Sequence, residues 1–172
     1  MNQIKSRALR IEQLITTSWF LKLSGLAYFF LTCLFVLVMK IWDFHIIDEM
    51  YTKEAILSHI GSMSETQRHV HVVLTATLDV VYPFIYGFFQ AGMALRYLGS
   101  WGKWIAYLSL VCIPVDLTEG FSQVMLLTGS LGYVELKTVV TPVKLALYLP
   151  GLAFALVAVV VALKQSIIRT VK

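Results

Sequence analysis

Four long apolar stretches, residues 22–41, 70–95, 104–128 and 141–163, limit what this chain can fold into more than any motif does. A hydrocarbon core about 30 Å thick takes roughly 20 helical residues to cross. Inside it, only helices and closed barrels satisfy their own backbone hydrogen bonds. The stretches lack the strict alternation of barrel strands, so the expected fold is an all-α integral membrane protein. It is read as a single domain over 1–172, a bundle of four transmembrane helices with a short helical cap in the outer loop 42–69 and both termini cytoplasmic. Composition agrees: 58% of residues are apolar and 14% charged, against about a quarter charged in soluble proteins. With a mean hydropathy of +0.77, this excludes a disordered tail, a coiled coil and an ordinary cytosolic enzyme.

The first stretch has no small-residue cleavage site behind it, so an uncleaved span is expected rather than a signal peptide. Ahead of it, Ile4, Ala8, Ile11, Leu14, Ile15 and Trp19 recur at helical spacing with Lys5, Arg7 and Arg10 between them. This pattern predicts a helix lying on an anionic membrane surface. The net charge of +4 does not point to nucleic acid, because the basic residues gather at the ends of the apolar runs. A cytoplasmic N-terminus puts Lys5, Arg7, Arg10, Lys22, Arg96, Lys103, Lys164, Arg169 and Lys172 inside, and Lys40, Lys53, Arg68 and Lys137 outside. This excess of inner cations obeys the positive-inside rule. The expected location is the cell membrane, the inner membrane in a prokaryote.

The connections carry signals of their own. Gly99-Ser100-Trp101-Gly102 predicts a tight turn that makes spans two and three antiparallel neighbours. In the outer loop, 53–60 reads as a helix ended by Gly61, and Ser64 with Gln67 as a capping box opening span two. Pro142 leaves two starts for span four: the proline opens it, or it bends a longer helix beginning near Val134.

The informative residues are the polar ones inside the spans. Asp79, Asp116, Glu119 and Lys144 are ionisable, and each costs on the order of 2.5–3.5 kcal/mol near the bilayer centre. On span two, Thr75, Asp79, Tyr82, Tyr86 and Gln90 are three or four residues apart and share one helix face. On span three, Ser109, Cys112, Asp116, Glu119 and Gln123 repeat that spacing, and Lys144 and Tyr148 share a face of span four. All four ionisable residues fall in the outer half of the membrane in this orientation. The predicted pocket is therefore lined by Asp79, Tyr82, Tyr86, Asp116, Glu119, Gln123, Lys144 and Tyr148. Pro83, Pro114 and Pro150 lie close to it in sequence and would loosen the helices there. Three carboxyls and one ammonium leave about two surplus negative charges, so a retained proton or an entering cation is expected. Asp116 and Glu119, at i and i+3, are the expected sharers of that proton. The competing account is a buried polar network that only fixes helix pairing.

Other signals are weaker. His45, His59, His69 and His71 fall in or near the outer loop and read as surface histidines rather than a metal site, and Cys33 and Cys112 as buried free thiols. No mid-span histidine pair suggests haem, and no Walker, GxGxxG, HExxH or GxSxG pattern occurs. No cofactor, no metal and no catalytic residue is assigned. The expected function is binding or transport of a small cationic or amphipathic molecule, with the lipid bilayer as the other contact. Two alternatives stay open: an intramembrane enzyme doing acid–base chemistry on a lipidic substrate, or a non-catalytic subunit or assembly factor that pairs with a membrane protein or with itself.

Overall fold

The computed structural model describes the backbone of residues 2–170 and, apart from residue 8, the side chains of 6–165. The side chains of Ile4, Lys5, Ala8, Arg169 and Lys172 therefore lie outside the described residues. The chain folds into helices α1 (Asn2–Ile15), α2 (Ser18–Ile41), α3 (Lys53–Ser62), α4 (Glu65–Tyr97), α5 (Gly102–Leu127) and α6 (Val134–Thr170), and no strand forms among the described residues. α2, α4, α5 and α6 are each long and apolar enough to cross a membrane.

Helix ends follow from local chemistry. The Thr52 side chain accepts from the Ala55 amide at 3.3 Å and caps α3. Ser64 and Gln67 exchange reciprocal bonds of 3.2 and 2.9 Å at the start of α4. Gln67 also donates to the Asp43 carbonyl at 2.6 Å, where the chain turns through a positive φ of 48°. Gly61 does not end α3. The helix runs to Ser62 and stops where Met63 turns extended and buries its side chain, its amide donating to the His59 carbonyl. Pro142 does not open α6 either. The helix begins at Val134, and this places Lys137 inside its second turn.

The chain forms two compact units, each taking a segment of all four long helices. The first comprises Met1–Tyr28, Ile85–Val111 and Leu147–Lys172. In it, Leu21, Met93, Ala155 and Ala158 pack together, and Ile15 at the end of α1 packs with Ala91 and Ala106. Gly92 permits this seat for α1, because a Cβ there would stand 2.3 Å from the Ile15 carbonyl oxygen. Arg96 donates to the Thr16 carbonyl at 2.7 Å and fixes the α1–α2 turn. Leu9, Ile11 and Leu14 of α1 stay exposed.

The second unit comprises Phe29–Phe84 and Cys112–Ala146. Its apolar core joins the loop and α3 to the long helices through Phe44, Ile47, Ile56, Ile60, Leu74 and Leu126. Burial within the long helices is inverted relative to a soluble protein. Thr75, Gln90, Ser109, Asp116, Glu119 and Gln123 are buried, while Leu26, Phe29, Phe30, Val81, Val139 and Val160 are exposed. Cys112 is buried but Cys33 is exposed, contrary to the expectation for both thiols, because α2 turns that face outward beside Val36 and Leu37.

Candidate functional site

The acids and lysines that the second unit draws inward gather on three helices and the loop before α3. Lys137, Thr141 and Lys144 are four and three residues apart, so they share the buried face of α6. Asp116, Glu119 and Gln123 form the facing stripe of α5. Asp48 enters from the loop, on a single 3₁₀ turn, Ile47–Glu49, anchored by the fully buried Ile47.

Two lysines bind three acids. Lys144 Nζ lies 2.7 Å from Asp48 Oδ2 and 3.3 Å from Asp116 Oδ1, and it also contacts Glu119 Oε2. Lys137 Nζ lies 2.8 Å from Glu119 Oε1 and donates to the Thr141 hydroxyl, which in turn donates to the same carboxylate oxygen. Gln123 Nε2 donates to Asp48 Oδ1 at 2.7 Å. Burial alone would push the Asp48 carboxyl up. Lys144 and Lys137, with hydrogen bonds from Lys144 and Gln123, outweigh it and hold the carboxyl at about 2, below its ordinary 3.8.

Asp79 is different. It lies within electrostatic reach of Asp48, Asp116, Glu119 and Lys144, yet it makes no hydrogen bond or ion pair among the described residues. It borders two cavities. One, of about 200 Å³, is shared with Asp48, His71, Thr75, Phe35 and Tyr82. The other, of about 280 Å³, is shared with Ala76, Val80, Gly120 and Phe121. Ala76, Val80 and Phe121 are exposed on the outer faces of their helices.

Of the residues singled out in the sequence, Asp79, Tyr82, Asp116, Glu119, Gln123 and Lys144 all lie in this unit. Tyr82 bonds the Thr32 hydroxyl at 3.0 Å and packs against Phe35. Tyr86 and Tyr148 belong to the first unit, where their rings meet edge to face at 4.9 Å and Tyr148 shares a hydrogen bond with Tyr28. Three participants escaped the sequence reading. Lys137 is read as an outer-loop cation but is fully buried in α6. Its spacing from Lys144 was a usable signal, hidden by starting the helix at 141. Asp48 gave no signal, since only the folded loop brings it in. His71 reads as a surface histidine but is fully buried against Phe44, with neither ring nitrogen hydrogen-bonded. The full inventory is four carboxyls and two ammoniums, so the surplus of two negative charges survives. His59 Nε2 bonds the His45 carbonyl, and among the described residues no group of three or more His, Cys, Asp or Glu side chains is placed to hold a metal ion.

The chain matches no protein-family model, no curated protein and no solved structure. Function is therefore argued from the site itself.

Proposed function

We propose that this is a multi-pass protein of the cell membrane, both termini cytoplasmic, that binds or transports a small cationic or amphipathic molecule at its acidic cluster. Insertion is supported by the inverted burial of the long helices, whose exposed faces are Leu, Val and Phe and whose buried faces carry the charge. Orientation is supported by the basic residues. With Lys137 buried, only Lys40, Lys53 and Arg68 remain to set against the nine inner cations.

The binding role rests on one observation: Asp79 is the carboxyl that the two lysines leave without a partner, and it borders open space. A membrane-embedded acid of that kind is matched by a retained proton or by a guest cation. Asp79 is the direct counter-charge in this reading, and Asp116 and Glu119 add only to the negative field around it. Lys144 and Lys137 hold Asp48, Asp116 and Glu119 in place.

The test is thermal unfolding of the purified full chain in nanodiscs against a panel of monovalent inorganic, alkylammonium and quaternary ammonium cations. At least one should raise the unfolding temperature of wild type and leave Asp79→Asn unmoved. No response to any cation from a folded wild-type protein would refute the reading. A second reading, acid–base chemistry on a lipidic substrate, is favoured only by the second cavity, where Asp79 meets exposed apolar side chains. It predicts a new product from extracted lipid that Asp79→Asn fails to make.

A further inference from the structure

The cavity beside Asp79 narrows the kind of cation. It is small: about 200 Å³ lies below the roughly 300–1,000 Å³ of drug-sized pockets. Its wall is divided in chemistry. Asp79, Thr75 and His71 give the lining its polar groups, and Phe35 and Tyr82, whose ring centroids lie 5.2 Å apart at 60°, give it aromatic rings.

His71 supplies an observation independent of the acids. Its side chain is fully buried, and both ring nitrogens lack a hydrogen-bond partner. A buried polar group normally finds one, and an imidazole with neither nitrogen satisfied carries a desolvation cost with no return. The cavity it borders is where a partner would enter. A neutral imidazole offers one acceptor nitrogen. The Thr75 hydroxyl and the Asp79 carboxylate add further acceptors to the same lining, which also holds aromatic rings able to attract a cation.

We propose that the cavity takes a small primary amine with a flat apolar tail. Its ammonium group donates to Asp79, Thr75 and His71, and its tail lies against Phe35 and Tyr82. This rests on the cation-binding reading above and specifies its occupant. Three N–H donors meet three acceptors. A quaternary ammonium has no donor for His71, and a bare metal ion leaves the aromatic rings unused.

The experiment is titration calorimetry and thermal unfolding of the full chain in nanodiscs with benzylamine, benzyl alcohol, benzyltrimethylammonium and sodium. Benzylamine should bind and raise the unfolding temperature, and the other three should not. Asp79→Asn should weaken benzylamine by about thirtyfold or more, with Asp79→Glu recovering part of the affinity. His71→Phe should weaken it less while keeping the protein folded. Should Asp79→Asn fail to fold, Phe35→Ala removes half of the aromatic pair with Asp79 intact and must also weaken benzylamine. Equal or tighter binding of benzyltrimethylammonium or sodium overturns the primary-amine assignment and leaves the broader reading standing. Benzyl alcohol binding as well as benzylamine overturns the role of charge in this cavity. Silence from every cation refutes both readings together.

Discussion

Replacing Lys137 by methionine removes one ammonium and little volume. The lysine side chain is fully buried, as is that of its partner Glu119, with Nζ 2.8 Å from the carboxylate oxygen. At an effective dielectric of 20 that separation is worth about 6 kcal/mol of gross attraction. Sparing the ammonium its desolvation returns part of this. Breaking a buried pair from one side costs about 3–5 kcal/mol net. The lower figure applies here, because Glu119 keeps Lys144 and the Thr141 hydroxyl. The ionised cluster would rise from two surplus negative charges to three. Lys53 and Glu135 form an internal control: they stand 3.4 Å apart with side chains 51% and 81% exposed. Lys53→Ala should cost under about 1 kcal/mol. Unfolding free energies from denaturant titration in mixed micelles measure both. Adding Glu119→Gln to Lys137→Met should restore part of the loss, giving a coupling of about 0.5–3 kcal/mol. A Lys137→Met protein as stable as Lys53→Ala would refute the argument that the α5–α6 contact depends on this charge.

Four further outcomes follow. Because the Asp48 carboxyl is held at about 2 rather than 3.8, its folded form stays ionised below the unfolded value, so it contributes stability above about pH 4. That contribution, about 2 kcal/mol from the shift, should fade as pH falls from 4 towards 2, and Asp48→Asn should flatten that limb of the stability–pH curve. Asp79→Asn should leave the ligand-free protein as stable as wild type or more so, since it removes a half-buried carboxyl that no side chain neutralises; a loss on the Lys137→Met scale would mean Asp79 holds the fold together. Gly92→Ala drives a Cβ against the Ile15 carbonyl and should unseat α1, read as faster maleimide labelling of a cysteine placed at Ile15. A reporter fused after Lys172 should signal from the cytoplasm, and an external signal would reverse the proposed orientation.

The long helices were legible because lipid-length apolar runs have few alternative folds, and the polar stripes because a repeat of three or four residues survives any error in helix ends. Such errors still hid a charge. Starting the fourth helix at 141 left Lys137 in a loop, while the helix from Val134 puts it one turn before Thr141 on the buried face. Asp48 lies 96 residues from Lys144 in sequence, and no local period encodes that meeting. It depends on Ile47, Ile56 and Ile60 burying the loop and α3 together in one core. Tyr86 shows the converse limit. It continues the stripe of Asp79 by spacing but belongs to the other unit, because a helix face that long passes through more than one environment.

The pairing pattern separates what holds the site from what the site can do. Lys144 is committed to three carboxylates and Lys137 to the one that most needs a second cation. Those acids are fixed in position and held by two ammoniums against three carboxylates, which suits structure and leaves them little capacity for a newcomer. Asp79 comes from a different helix, faces the same field and has open volume on two sides. If the acids served only to lock helices together, an unpaired fourth carboxyl would be a cost without a function, and Asn or Thr would fill the position better. Its retention beside an unsatisfied His71 makes sense where the missing partner is a molecule that comes and goes.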